Sequence, residues 1–336
     1  MDGFFRFADF HRWMLRAVVV GALALLVACG GPSQPAPPPT ATAGLPRFTP
    51  TLPPATETAS YAPVATATFT AEVAPSPTVT ITTTPGRPPS PTARSWWQPK
   101  PRTTWQIQIN GGQIDLSYQA QVYDVDLFDT PTETIAQLHR MGRKVICYFS
   151  AGTYEDWRPD ADRFLGYGIV GQPLEDWPGE RYLDIRRLDI LGPILQDRLD
   201  LAVEKGCDAV DPDNVQNFQE PTGFALSSED QLRFNLWLAG EAHARGLGVG
   251  LKNDRPQIPD LVAAFDFAVD EECFTYAECE PLLAFIRAGK AVFEIEYELS
   301  PAAFCPQANA WGFSALVKPW DLSPQRFDCL QDFEER

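Results

Sequence analysis

From about residue 103 to the C-terminus, short apolar runs rich in β-branched residues alternate with longer amphipathic stretches. Short apolar runs bounded by polar residues predict strands. The predicted strands cover residues 103–109, 122–128, 144–150, 181–185, 208–213, 247–253, 267–272, 291–297 and 314–318. The stretches between them predict helices, most of which end at Gly, over residues 130–142, 191–206, 227–246, 259–265 and 278–289.

Repeated strand and helix units, without Asn-Gly hairpins between neighbours, indicate parallel strands joined by crossover helices. About 240 residues with eight or nine strands predict an α/β fold, a (β/α)8 TIM barrel over residues 96–336. One strand is surplus, and we expect the first or the last to be accessory. A doubly wound open sheet is the alternative, but no GxGxxG follows any strand, so its nucleotide site has no support.

The N-terminus carries an export signal. Three arginines precede the apolar run 17–28, which is too short for a membrane-spanning helix of about 20 residues. We therefore predict a signal peptide over residues 1–28. The letters LVAC, ending at Cys29, resemble a bacterial lipobox, which implies cleavage before Cys29 and lipid on its thiol. An ordinary secretory peptide with an incidental cysteine is the alternative.

Residues 29–95 are mostly Pro, Thr, Ala and Ser. Such a segment buries too little apolar surface to offset chain entropy, and its prolines favour extended polyproline II. It is predicted to be a disordered, semi-rigid tether. The chain is therefore expected to be an exported lipoprotein, anchored through its N-terminal lipid on the outer side of the cytoplasmic membrane or at the cell surface.

Negative charge is concentrated in the part predicted to fold. All but six of the 27 Lys and Arg, and all but four of the 44 Asp and Glu, lie from Trp96 onward. Such a domain repels nucleic acid and attracts a cationic ligand. Solubility alone is the simpler explanation. We expect a monomer with no nucleic-acid partner.

Six cysteines remain when Cys29 is assigned to lipid, and an exported compartment permits disulfides. Proximity along the chain favours bridges between Cys273 and Cys279 and between Cys305 and Cys329. The two cysteines inside apolar runs are predicted to be buried free thiols, Cys147 and Cys207. A zinc site is not expected, because no His lies near these cysteines and no CxxC spacing occurs.

Polar and acidic side chains gather where the predicted strands end. In a barrel, the carboxyl ends of the strands face the active-site mouth. The set comprises Asp126, Asp129, Tyr148, Ser150, Asp211, Asp213, Asn214, Lys252, Asn253, Asp270, Glu271, Glu272, Glu294, Glu296 and Tyr297. Alternation along residues 209–213 places Asp211 and Asp213 on one face, with Asp211 a layer deeper and Asp213 at the rim.

No histidine is placed to act as a catalytic base beside this set of residues. Of the three histidines, His11 lies in the signal, and His139 and His243 lie within predicted helices. Triads and Cys-His pairs therefore lack their base, and acid–base work falls to carboxylates, as in glycoside hydrolysis. A Mg or Ca site is an alternative, but the acid spacing of DPDN alone is not that of a calcium loop.

Five motifs, in order, resemble glycoside hydrolase family 114, the endo-α-1,4-polygalactosaminidases. They are KVICYFSAGTYEDWRPD, GCDAVDPDN, GLKND, VDEECFTYAEC and GKAVFEIEY. The resemblance spans roughly residues 105–318. It implies a (β/α)8 barrel, cleavage of α-1,4-linked galactosamine polymers, retention of anomeric configuration and no cofactor.

Carried over by motif, the resemblance makes Asp213 the nucleophile and Glu271 the general acid/base. Side-chain parity instead places Glu272 on the inner face with Ala268 and Asp270. Because strand tips commonly bulge, we choose Glu271 and keep Glu272 in reserve. Retention predicts carboxyl groups about 5–5.5 Å apart.

The acidic cleft would attract a cationic aminosugar polysaccharide. The predicted substrate contacts are Asp126, Asp129, Tyr148, Asp211, Asn214, Lys252, Glu272, Glu296 and Tyr297. The expected function is therefore that of a surface-tethered retaining glycoside hydrolase. A hydrolase of a different glycan and a non-catalytic polysaccharide-binding lipoprotein are the alternatives.

Overall fold

The computed structural model describes residues 96–334. The predicted signal peptide, Cys29 and the tether to residue 95 lie outside the described residues. Among the helices that are described, none is both long enough and apolar enough to cross a membrane.

The described chain contains two sheets. In chain order the strands are β1 (Trp105–Gln108), β2 (Val122–Asp126), β3 (Lys144–Ser150), β4 (Thr153–Glu155), β5 (Val170–Pro173), β6 (Glu180–Leu183), β7 (Ala209–Asp213), β8 (Gly248–Lys252), β9 (Phe267–Glu271), β10 (Val292–Glu296), β11 (Ser314–Val317) and β12 (Phe327–Asp328). The main sheet runs β1-β2-β3-β7-β8-β9-β10-β11-β12. Its pairs are parallel except for β11 with β12.

Helices fill the crossovers of this sheet. They are α1 (Thr132–Arg140), α2 (Leu188–Lys205), α3 (Ser228–Ala244), α4 (Ile258–Leu261), α5 (Leu283–Arg287) and α6 (Pro301–Trp311). The first five confirm the predicted helices, although α4 and α5 are single short turns. Helix α3 starts at a capping box, in which Ser227 and Asp230 each bond the other's backbone N–H. Helix α6 was not predicted, because Pro306 interrupts its pattern.

The sheet is curled, and its two faces bury different residues. The inner face carries a compact apolar cluster, Trp105, Ile107, Val122, Ile146, Ala209, Phe267, Val269, Phe293, Ile295 and Leu316. The alternate residues of the same strands pack against the helices outside. The first strand, β1, approaches β11, the last of the parallel strands, since Trp105 Nε1 donates to the Ser314 carbonyl at 2.8 Å. This is a TIM-barrel-like arrangement.

A small antiparallel sheet, in the order β4-β6-β5, follows β3 directly. The segment 181–185, expected as a strand of the main sheet, lies largely in β6 of this small sheet. The accessory strand is therefore an internal one, and our expectation of the first or the last was wrong. A short apolar run shows strand character but not its partner, and the partners here are local, such as Thr153 with Tyr182.

Three disulfides are present in the described chain. The predicted bridges Cys273–Cys279 and Cys305–Cys329 are confirmed. The prediction of free thiols at Cys147 and Cys207 was wrong, because these two residues form the third bridge. Cys147 lies in β3 and Cys207 just before β7, its neighbour in the sheet. Their separation of 60 residues spans the small sheet and α2, so proximity along the chain could not reveal the bond.

Removing the Cys147–Cys207 bridge should destabilise the domain more than removing the bridge Cys273–Cys279. Loop-closure entropy assigns about 4 kcal/mol to a loop of 60 residues and about 2 kcal/mol to one of six. We expect the free energy of unfolding to fall more in the Cys147→Ala/Cys207→Ala variant than in the Cys273→Ala/Cys279→Ala variant. Urea unfolding followed by tryptophan fluorescence measures both variants, and an equal or larger loss in the six-residue case contradicts the entropic ranking.

Candidate active site

Two carboxylates and a lysine meet where three neighbouring strands end. Asp213 is the last residue of β7, Lys252 of β8 and Glu271 of β9, and β8 lies between the other two. Lys252 Nζ lies 3.1 Å from Asp213 Oδ1 and 2.7 Å from Glu271 Oε2. Because both oxygens contact one nitrogen, they lie less than about 6 Å apart.

Asp213 receives three donors. The Tyr148 hydroxyl donates to Oδ2 at 2.8 Å, and the backbone N–H of Asn214 donates to Oδ1 at 2.7 Å. Lys252 is the third. Burial alone would raise the pKa of Asp213, but the lysine charge and these hydrogen bonds outweigh burial and lower the pKa below its ordinary value. Asp213 is therefore held as a carboxylate.

Glu271 is held from two sides. The Tyr297 hydroxyl donates to Oε1, and Lys252 contacts Oε2. Burial and the charge of Glu271 raise the pKa of Tyr297 well above its ordinary value, so this phenol remains a donor. The backbone N–H of Glu271 donates to Asn253 Oδ1 at 3.1 Å, which anchors the end of β9 to the loop after β8.

The parity argument for Glu272 fails. Val269 packs in the inner cluster and Ala268 in the outer one, so Glu271 points inward by ordinary alternation. Our count had the two faces reversed. Glu272 follows the strand in a left-handed conformation with φ of 60°. Within the described chain, its carboxylate makes no hydrogen bond or ion pair with Asp213 or Lys252.

Lys252 is 5% exposed. Burial lowers the pKa of its ammonium group, but Asp213, Glu271 and the nearby Asp211 more than offset burial and raise the pKa well above its ordinary value. The motif GLKND identified Lys252 only as a substrate contact. The structure places it between the two carboxylates as a permanent positive charge.

A second acid pair lies beneath this triad. Asp124 on β2 and Asp211 on β7 are completely buried, and no N–H or hydroxyl of the described residues donates to either carboxyl group. Burial raises both pKa values, that of Asp211 to about 7, and each acid acts on the other. The available hydrogen bond is a proton shared between them. We named Asp211 as a substrate contact, but its position beneath Lys252 does not suit direct contact.

Asp124 escaped the sequence analysis. The available signal was its alternation with Asp126 on the same strand, which places both on one face.

Asn214 links Asp213 to the small sheet. Its side-chain Nδ2 donates to Ser150 Oγ at 2.9 Å and to Thr153 Oγ1 and Glu180 Oε1, both at 3.2 Å. Its left-handed φ of 59° turns the backbone N–H onto Asp213. Asn214 therefore positions the carboxylate.

Glu180 is buried, and burial raises its pKa to about 7. Nothing in the sequence around this residue indicated a place beside the site, because its position depends on the accessory sheet.

Asp126 and Asp129 divide in role. Asp126 is buried and accepts two hydrogen bonds from Arg158, at 2.7 and 3.1 Å, and two from backbone N–H groups. Its carboxylate is fully engaged, so the substrate contact expected of Asp126 is not supported. Asp129 is half exposed, and its contact with Arg158 is long, at 3.6 Å. Its carboxylate therefore remains open to a ligand.

Glu296 was expected to line the cleft, and the structure places it elsewhere. It is completely buried, and its carboxylate accepts the N–H of Phe274 at 2.8 Å and the Thr275 hydroxyl at 2.6 Å. Glu296 therefore holds the loop between Cys273 and Cys279. The expectation failed because Glu296 alternates with inward-facing Ile295 and points outward.

Three buried side chains lie within metal-binding distance of one another, Asp270, Cys273 and Glu294. The Cys273 sulfur is committed to a disulfide. Asp270 is paired with Arg255 at 2.9 Å. This group is therefore not a suitable metal site.

An aromatic wall stands beside Glu271. Tyr297 stacks on Trp320 with ring centroids 4.0 Å apart and planes 14° apart. Trp320 is 47% exposed and offers its outer face to solvent. It lies beyond the last predicted strand, in the loop 318–326, and for that reason was not singled out.

Replacing Lys252 by Met should raise the pKa of Asp213 and destabilise the domain. Burial would then act on Asp213 against fewer opposing contacts, and removing one member of a buried ion pair costs about 3–5 kcal/mol. Since the carboxylate pKa is lowered by folding, this loss is present at neutral pH and shrinks as pH falls through the native pKa of Asp213. Carboxyl NMR titration and urea unfolding across pH measure the two effects.

Lys252→Arg is the matched control, because it keeps the charge. An unchanged Asp213 titration in Lys252→Met would contradict the role given to the lysine.

Comparisons with known proteins place this chain in a family. A model of glycoside-hydrolase family GH114 matches residues 86–334. The crystal structure of Aspergillus fumigatus Ega3 in complex with galactosamine is similar, with 42% identity and a TM-score of 0.67, over 70% of this chain and 98% of that one. The glycoside hydrolase domain of PelA from Pseudomonas aeruginosa shares the fold, with 15% identity and a TM-score of 0.55 over 67% of this chain and 98% of that one.

No curated protein matches the chain. The family match covers most of the sequence and confirms the resemblance that the motifs indicated. The chain belongs to glycoside-hydrolase family GH114.

Proposed function

We propose that the domain is a retaining endo-α-1,4-galactosaminidase acting on galactosamine-containing polysaccharide. The observation that carries the proposal is the pair Asp213 and Glu271, joined by Lys252 at the mouth of the sheet. Two carboxyl groups facing one cavity are the requirement of glycoside hydrolysis. The galactosamine bound to Ega3, at 42% identity, supports the choice of sugar.

The hydrogen bonds support a division of roles. Asp213 receives three donors, which lower its pKa and hold it as a carboxylate, the form that a nucleophile needs, and the general acid/base role therefore goes to Glu271. Asp213 attacks the anomeric carbon while Glu271 gives its proton to the departing glycosidic oxygen. Glu271 then takes a proton from water, whose oxygen displaces Asp213 from the anomeric carbon.

The separation of the pair supports retention. Retaining enzymes hold their carboxyl groups about 5–5.5 Å apart, whereas inverting enzymes need about 6.5–9.5 Å for an intervening water. The shared contact with Lys252 keeps the two oxygens less than about 6 Å apart. Little room is left for a water between acid and base.

Charge supports an aminosugar. Unacetylated galactosamine carries an ammonium group at neutral pH, and the domain has a large excess of acids. Of the acids expected to contact substrate, Asp126 and Glu296 are bonded to other groups of the protein. Asp129 and Glu272 remain open to a ligand at the mouth of the sheet. The attraction comes from the field of the whole acidic cleft as well as from single contacts.

Asp213→Asn and Glu271→Gln should each fold and lose activity. Each substitution is isosteric and removes one chemical role, so we expect the rate on polygalactosamine to fall by at least about 10²–10⁴-fold. Release of reducing ends measures the loss. Asp254→Asn is the matched control, because burial raises the pKa of Asp254 to about 8 and that acid is already largely neutral at pH 7.

The product of the unmodified protein tests retention. Proton NMR during the first minutes should show the α-anomer of the new reducing end, since two displacements restore the configuration. An initial β-anomer would rule out the two-step route. Full activity in Asp213→Asn or Glu271→Gln would show that a different pair is catalytic, and a glycan panel would reveal another preferred substrate.

We further propose that lipid on Cys29 and the Pro/Thr-rich tether hold the domain at the outer side of the membrane. The support is the sequence pattern of residues 1–95. Cells given an alkyne-labelled fatty acid should label the chain, and Cys29→Ser should abolish the label and release the protein from the membrane fraction. Labelling that persists in Cys29→Ser would show that the lipid is attached elsewhere.

A further inference from the structure

A groove beside the small antiparallel sheet has no role in the mechanism above. Its volume is about 620 Å³, and it lies between the segment 172–177 and residues Glu220 and Pro221. Its lining includes Glu175, Asp176, Trp177, Tyr182 and Glu220.

Strand β6 connects the surroundings of the catalytic site with the groove. Glu180, at the start of β6, accepts a hydrogen bond from Asn214, which also donates to Asp213. Tyr182 is two residues further and therefore on the same face of the strand, about 7 Å along. Its hydroxyl donates to Glu220 Oε2 at 3.3 Å, on the opposite wall of the groove. One face of β6 thus carries both Glu180, which contacts Asn214, and Tyr182, which lines the groove.

The two walls are held together by the backbone. The N–H of Gln172 donates to the Thr222 carbonyl at 2.8 Å. Gly171 permits this approach, because a Cβ at that position would lie 2.2 Å from the same carbonyl oxygen. The groove is therefore part of the folded structure.

The lining combines an exposed ring with unpaired acids. Trp177 is 46% exposed. Glu175, Asp176 and Glu220 supply three carboxyl groups, the lining contains no Lys or Arg, and none of the three acids has an ion-pair partner in the described chain. An aromatic face next to negative charge suits a ligand with an apolar face and a cationic substituent, as an unacetylated hexosamine ring has.

We propose that this groove is an additional subsite, which binds a cationic hexosamine unit of the polymer away from the bond being cleaved. The proposal rests on the proposed function for the identity of the polymer. Trp177 stacks on the ring, and the carboxylates of the groove pair with its ammonium group. A chain long enough to occupy both places gains affinity that a short chain lacks.

Binding by galactosamine oligosaccharides tests the proposal without depending on turnover. Calorimetry is carried out in the Glu271→Gln background with a dimer and an octamer. We expect Trp177→Ala to weaken octamer binding about tenfold, with a much smaller effect on the dimer. Tyr167→Ala is the matched control, since Tyr167 is 54% exposed in the same part of the chain but does not line the groove.

A second arm tests the charge. Glu220→Gln should weaken binding of the unacetylated octamer, and the loss should be smaller at high salt. Binding of an N-acetylated octamer should be unchanged. Equal losses of affinity for both octamers would show that the groove recognises a neutral sugar and not a cationic unit, which would overturn the proposal. Unchanged octamer binding in Trp177→Ala, or an equal loss in Tyr167→Ala, would also overturn it.

The proposed function can fail separately. If the unmodified protein releases no reducing ends from polygalactosamine, the hydrolase assignment fails, whereas the octamer affinities still decide the groove. A parent protein that does not bind the octamer at all overturns the groove proposal as well.

Discussion

The arrangement of the whole site depends on the buried positive charge of Lys252. An ammonium group at 5% exposure is costly unless carboxylates surround it, and a pair of carboxylates so close together repel each other unless a cation lies between them. Neither half is stable alone. The order β7-β8-β9 in the sheet solves both problems, because it places the lysine strand between the two acid strands.

Strand β7 shows how the interior passes from apolar to charged within three inward residues. Ala209 belongs to the inner apolar cluster, Asp211 has a pKa that burial raises to about 7, and Asp213 is ionised at the rim. A fully charged acid at the level of Asp211 would lack both water and a donor. The raised pKa values of Asp124 and Asp211 therefore give an intermediate layer between the dry core and the ionised carboxylate of Asp213.

The pattern of apolar and polar residues within a segment predicted the features that depend on that segment alone. The run KVICYFS became β3 with its predicted bounds, and alternation correctly placed Asp211 below Asp213. Alternation failed for Glu271, because parity gives two sets of residues but not which set faces inward. Only packing decides that, through Val269 inside and Ala268 outside. Motif resemblance selected Glu271, which the structure places against Lys252, whereas parity selected Glu272.

The features that escaped prediction depend on partners distant in the chain. Glu180 approaches Asn214 only through the small sheet, and Trp320 gains its place by stacking on Tyr297. Periodicity within a segment contains no information about such partners.

The insertion of the small sheet between β3 and β7 also bears on how the molecule folds. Tyr148 and Asp213 meet only after a segment of more than 60 residues has closed on itself, and that closure carries an entropy cost before any contact rewards it. The Cys147–Cys207 bond spans the same gap. Once formed in an oxidising compartment, it keeps the two strands together through every later opening, so the surroundings of Asp213 do not have to be assembled twice.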